Sequence, residues 1–161
     1  MKAYMVGLPS QNKGIEDFYY LATNITNIDF FWFCGAVDPE TVARYGDKIN
    51  FQVGLARDEI FRKIADMQIH CNCSYYESFS LPIAEALILR KPVITYNIDE
   101  VHKAFKETIQ YVPYRNKASF LKIVESFRDT GGYSGNPKMG YELVQSEYSP
   151  AVVAKKLMDI F

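Results

Sequence analysis

Two glutamates, Glu77 and Glu85, stand with seven residues between them in "SYYESFSLPIAEALILRKPV", residues 74–93. Each carboxylate can accept hydrogen bonds or pair with a cation. Glu85 is the odd one. From Leu81 to Leu89 the pattern is that of a helix with almost no polar face, which predicts burial on nearly every side. A carboxylate buried in such a helix must be satisfied by something. Three solutions fit: a ligand, a basic residue such as Lys13, or a wet edge of the helix.

Lys13 belongs to a polar loop, "LPSQNKG", between Gly7 at the end of a predicted strand "AYMVG" and Gly14 at the start of a helix. Taken alone, a loop lysine is a solvated surface charge. The rest of the chain decides whether it can meet the glutamates. "IEDFYYLATNI" sets Ile15, Phe18, Tyr19 and Ala22 on one helical face. "IDFFWFCG" is a nearly continuous apolar run, as in a strand buried on both faces. "INFQVG" predicts a third strand. "RDEIFRKIADM" predicts a helix with Ile60, Phe61, Ile64 and Met67 inward, and "QIHCNCS" a fourth strand. "PVITY" and "IQYVPY" follow as strands around a short helix at "EVHKAF". "NKASFLKIVESF" turns Phe120, Leu121, Val124 and Phe127 to one side, and "DTGGYSGNP" is a loop. Two helices close the chain, the last with Pro150 in its first turn and Val153, Leu157, Ile160 and Phe161 inward.

Buried strands alternating with helices predict a Rossmann-like α/β domain, a doubly wound parallel sheet with helices on both faces. At 161 residues this is one domain. In such sheets ligands lie beyond the carboxyl ends of the strands. The loops there run from Gly7 to Gly14, past Gly35 and Gly54, from Ser74 to Ser80, and from Asn97 to Glu100. Gly35 and Gly54 fit either close approach of a ligand or ordinary turns.

Other chemistry is thinly represented. The net charge of −1 gives no pull toward nucleic acid or anionic membrane. No apolar run reaches the length of roughly 20 residues that spans a bilayer, and the polar start does not have the form of a signal peptide. Three cysteines, Cys34, Cys71 and Cys73, predict free thiols in a reducing compartment. Cys71 and Cys73 share one face of a strand and His70 takes the other, which predicts core thiols rather than a metal pair. Asp99 is expected to cap a helix and His102 to lie on a helix surface. "RDE", at Arg57 to Glu59, is expected to start a helix. No Ser-His-Asp order, zinc spacing or Walker loop is present.

The Glu-x7-Glu spacing, "VGLPSQNKG", and the order of residues through "FQVGLARDEIFRKIADMQIHCNCSYYESFSLPIAEAL" resemble family 4 of the retaining glycosyltransferases with the GT-B fold. The likeness covers essentially the whole chain and only the C-terminal, donor-binding half of such an enzyme. It implies that residues 1–161 bind a nucleotide-diphosphate sugar, with the N-terminal acceptor domain, or a partner subunit in its place, lying outside the chain. It implies transfer with retention, helped by the leaving phosphate, in the cytoplasm or at the inner face of its membrane, the latter through the missing half. No cofactor or metal is implied.

The resemblance also distributes roles. Lys13 leans over the diphosphate, and the amides of Ser80 and Leu81, at a helix N-terminus, receive it. Glu85 holds the ribose hydroxyls and Glu77 contacts the donor sugar. Gly7, Gly14 and Gly54 leave space for the donor, and Ser78 and Phe79 complete its loop. Lys13 and Glu77 are the catalytic candidates. Two residues depart from the pattern. Leu8 stands where an arginine helps the leaving diphosphate, and Arg90 stands where a glycine makes a left-handed turn, so a different turn or some strain is expected there. Both departures, with "DFFWFCG", are similar to the branch that glucosylates diacylglycerol. Leu8 also keeps open a second reading, a nucleotide-sugar-binding module without efficient transfer.

Overall fold

The computed structural model describes residues 1–158. Six strands form one parallel sheet: β1 (Lys2–Val6), β2 (Asp29–Cys34), β3 (Ile49–Val53), β4 (Ile69–Asn72), β5 (Val93–Tyr96) and β6 (Gln110–Val112). Their order across the sheet is β3-β2-β1-β4-β5-β6. The chain therefore winds outward from β1 to β3, then returns and winds the other way from β4. That is a Rossmann-like fold, with helices on both faces as the apolar strands predict.

The helices are α1 (Ile15–Asn24), α2 (Pro39–Tyr45), α3 (Arg57–Ala65), α4 (Leu81–Ile88), α5 (Asp99–Phe105), α6 (Lys117–Thr130), α7 (Pro137–Tyr148) and α8 (Pro150–Met158). Helix α1 packs with α6 and helix α4 with α7. Phe18 of α1 meets Phe30 and Trp32 of β2 edge to face, at 5.4 and 5.2 Å between ring centres. These aromatic contacts, with Met5, Leu21, Ile69, Cys71 and Cys73, fill one side of the sheet. Tyr4 and His70, neighbours in register on β1 and β4, stack on the other side with ring centres 4.8 Å apart. The strand alternation expected for His70 and the cysteines holds, and all three thiols are free and buried.

Several expectations need correction. Helix α4 is not covered on nearly every side: Leu81 is 65% and Ile88 42% exposed, because the helix begins at the rim of the sheet and α7 covers one flank. In α1 it is Leu21, not Tyr19, that is fully buried, and Asp17 is buried beside it. Ile60 and Phe61 of α3 are half-buried. Asp99 is the first residue of α5 rather than its cap, which is Ile98 and makes no side-chain bond. The loop after α6 starts later than its composition suggests, since Asp129 and Thr130 complete the helix. Val153 faces solvent on α8, which lies at the periphery against α7. Ile160, Phe161 and the side chain of Leu157 lie outside the described residues. Helix α2 was not foreseen. Asp38 caps it by accepting from Thr41 N at 2.8 Å, and Pro39 opens its first turn.

Gly14, at the entry to α1, has φ +69°. A Cβ there would overlap the backbone carbonyl of Cys73. Gly14→Ala thus combines a left-handed alanine with a backbone clash. It is expected to cost about 2–4 kcal/mol, read as a fall in the urea midpoint at unchanged m.

Candidate functional site

The winding reverses between β1 and β4, and the crevice beyond their carboxyl ends is where ligands bind in open α/β sheets. The loop after β1 and the loop after β4 meet there. Gly7 continues β1 by donating to Phe33 O at 2.9 Å, and its own carbonyl accepts from Trp32 Nε1 at 2.7 Å. The chain then turns through Ser10, whose Oγ accepts from Lys13 N. Tyr75 N donates to Asn12 O at 2.9 Å and ties the two loops together. Lys13 Nζ reaches Glu77 Oε1 at 2.6 Å across this seam. Glu77 is 8% exposed, so its partner matters.

Glu85 has a different partner from the one proposed. Arg57 Nη2, at the start of α3, donates to Glu85 Oε1 at 2.5 Å. Glu85 is 19% exposed and therefore at a wet edge, as one of the three solutions required. Its charge lies near Tyr4, whose hydroxyl is held well above the usual tyrosine range by burial, with Cys71 and Glu85 adding to the effect. Arg57 was read only as a helix start. Its place just past Gly54, at the rim after β3, was the signal that could have marked it.

Between the two glutamates the chain makes a tight entry to α4. Ser80 has φ +68° and ψ +82°, and its hydroxyl is buried without a hydrogen-bond partner among the described residues. Ile83 N and Ala84 N both donate to Ser80 O, and Pro82 has no N–H. The Leu81 amide donates no hydrogen bond among the described residues, so this end carries an open donor and the positive end of the helix dipole. Ser78 is exposed, and the Phe79 ring packs on Phe105 and Tyr148 at 5.2 and 4.7 Å, anchoring the loop to the core. Gly54 has φ +67° and donates to Cys34 O at 3.0 Å. Gly35 has no left-handed φ.

Lys13, Glu77, Ser78, Ser80, Leu81 and Glu85 thus converge on one rim, with Gly7, Gly14 and Gly54 at the turns that shape it. Leu8 is 62% exposed on the same rim, where it supplies no charge. Arg90 does adopt the left-handed turn usually left to glycine, with φ +52°, and its guanidinium lies 4.6 Å from the centre of the Tyr141 ring. Asp17 was missed altogether. Its carboxylate accepts from Tyr96 Oη at 2.6 Å and from Tyr75, whose hydroxyl is pushed up to about 12 by burial and by that bond. Its i,i+4 relation to Leu21 was the available signal. A separate hollow of about 760 Å³ lies at the amino-terminal ends of β2 and β3, among Thr26, Asp29, Asp47 and Asn50, far in the sheet from the glutamates.

The class of fold is shared with known glycosyltransferases. HepE from Anabaena, solved with UDP-glucose, superposes with a TM-score of 0.83 at 12% identity over 99% of this chain and 48% of its own. Sucrose-phosphate synthase from Thermosynechococcus elongatus gives 0.83 at 20% identity, over 99% of this chain and 44% of its own. The isolated C-terminal domain of a glycosyl transferase group 1 family protein from Francisella tularensis gives 0.72 at 17% identity, over 92% of this chain and 86% of that domain. This chain therefore spans somewhat under half of the first two proteins and nearly all of the isolated domain. No protein-family model matches it, and no curated protein matches it.

His70 gives the site's foundation a pH signature. Burial holds its imidazole down at about 3, although the Tyr4 carbonyl contact at 3.2 Å opposes the shift. Because the folded value lies below the unfolded one of about 6.5, His70 favours the folded state above that pH. That contribution is lost as pH falls from about 6.5 toward 3, with a slope approaching 1.4 kcal/mol per pH unit. Chemical unfolding at stepped pH should show this component in the wild type and not in His70→Gln.

Proposed function

We propose that this chain is the donor-binding domain of a retaining glycosyltransferase and binds a nucleotide-diphosphate sugar at the β1–β4 crevice. The observation that carries this is the Lys13–Glu77 pair beside the α4 N-terminus. One cation, one carboxylate and one helix N-terminus stand within a single loop cluster. HepE has been solved with UDP-glucose and with UDP and glucose, and pneumococcal GtfA with UDP and GlcNAc. Those complexes support the same class of ligand here.

The diphosphate takes the Leu81 amide and Lys13, and the buried Ser80 hydroxyl stands ready for it. Glu85 accepts from the ribose hydroxyls. Once the phosphates draw Lys13 away, Glu77 is free to accept from the sugar. Lys13 and the helix end then stabilise charge on the leaving diphosphate, which in turn assists the attacking hydroxyl. This chemistry calls on no metal. A second wall completes the cleft, either an N-terminal acceptor domain or a partner subunit. Exposed Leu8, Val53, Tyr76, Leu81 and Tyr114 sit on or beside the loops of that rim and offer it an apolar surface. A GtfA/B complex is among the similar solved structures. We place the protein in the cytoplasm, with any contact to the inner membrane face made by the other half. Among the described residues no helix is long and apolar enough to cross a membrane.

Leu8 favours the second reading, a binding module without transfer, since the arginine that would aid departure of the diphosphate is replaced by an exposed apolar side chain. Joining the chain to an acceptor half and assaying transfer separates the two readings, because a pure binding module stays silent. Calorimetric titration with UDP, GDP and ADP tests what they share. One nucleotide should bind at millimolar affinity or tighter, and Glu85→Ala should abolish that binding. The absence of binding by all three overturns the proposal. Lys13→Ala should weaken the nucleoside diphosphate about 10–100-fold, from the loss of a hydrogen bond between charged groups, and the nucleoside monophosphate much less.

A further inference from the structure

We infer that Arg57 is a positioning residue of the ribose subsite, acting through Glu85; this rests on the donor-site reading above. Three observations lead there. First, Arg57 Nη2 holds Glu85 Oε1 at 2.5 Å, while Oε2 has no hydrogen bond among the described residues. One oxygen is engaged and the other is available. Second, the pair contributes little to folding. Arg57 is 74% exposed, so water screens the pair from that side although Glu85 is only 19% exposed. Third, Arg57 is placed by rigid structure. It is the first residue of α3, whose start is fixed by Glu59 Oε2 accepting from Ala56 N at 2.9 Å, and its guanidinium lies 5.5 Å from the centre of the Phe61 ring.

A ribose diol is neutral. If it displaced Arg57, Glu85, whose side chain is 19% exposed, would exchange a cation for two neutral hydroxyl donors. A carboxylate has about four acceptor positions, enough for one guanidinium N–H and two hydroxyls together. The lower-cost arrangement keeps Arg57 in place, holding the carboxylate in the rotamer that presents Oε2 and countering its charge while the diol binds. The guanidinium is suited to this because it is always charged and its donors lie in a rigid plane, which a lysine ammonium does not reproduce.

Nucleotide titrations on the full chain test the inference. The variants are Arg57→Ala, Arg57→Lys, Glu85→Gln and the Arg57→Ala/Glu85→Gln pair. Each is titrated with the nucleoside diphosphate that binds the wild type and with its 2′,3′-dideoxy analogue. Arg57→Ala should weaken the ribonucleotide at least fivefold without moving the urea midpoint, and Arg57→Lys should recover part of the loss. The dideoxy analogue should bind the wild type and Arg57→Ala equally. The double variant should lose little more than Glu85→Gln alone, because both changes remove one function. Unchanged or tighter ribonucleotide binding by Arg57→Ala, with Glu85→Gln weakened, overturns the role of Arg57 and leaves the donor site standing. An equal loss for the ribo and dideoxy forms overturns it as well, since the effect would not pass through the diol. Failure of the wild type to bind any nucleoside diphosphate overturns both readings.

Discussion

The Lys13–Glu77 contact depends on β1 and β4 lying side by side while the chain winds away from them in opposite directions. Sixty-four positions separate the two residues in sequence, and 2.6 Å separates their atoms in space. Hydrogen bonds of a parallel sheet do not choose which strand follows which. The choice comes from covering both faces: α1 must pack over β2 with Phe18 against Phe30 and Trp32, and α4 must return beside α7. Once β1 and β4 are neighbours, their loops have nowhere else to go. The Tyr75–Asn12 backbone bond then holds the seam.

Two carboxylates on this rim face two cations brought from different loops, Lys13 after β1 and Arg57 after β3. Each pair is local, and neither is an isolated buried charge, which would be far costlier. Their environments nevertheless differ. Glu77 is nearly buried, and its cation comes on a long aliphatic stem from the loop after β1. Glu85 lies at the edge, and its cation is planar and seated on a helix start. The proposed donor site would use that difference, with a shifting contact at the phosphates and a standing one at the ribose.

Beneath the rim, the polar residues are fitted into the core with few spare partners. Asp17 is satisfied by two tyrosine hydroxyls, and Asn72 donates to Thr95 Oγ1 while accepting from Ser74. Tyr4 Oη and His70 Nε2 are buried with no hydrogen bond among the described residues, directly below the strand ends that carry the site. The neutral imidazole and phenol leave this layer uncharged, so the ionic groups above it see a floor of low polarity, which strengthens their mutual interaction.

Much of the fold was legible in the sequence. Apolar runs such as "DFFWFC" fit strands covered on both faces, and their alternation with helical periods points to a doubly wound parallel sheet. The face assignment of Cys71 and Cys73 against His70 followed from strand geometry alone. Composition could not delimit the helix ends, since capping depends on side-chain contacts such as Asp38 with Thr41, and α2 was missed for that reason. Within the site, the sequence determined which residue types stand at the strand ends and that Glu85 needs a partner. Only the tertiary structure decided who that partner is. Pairing across a sheet depends on strand order and helix placement, and periodicity carries no information about either. Lys13 therefore met Glu77, and Arg57, unremarkable as a helix start, met Glu85.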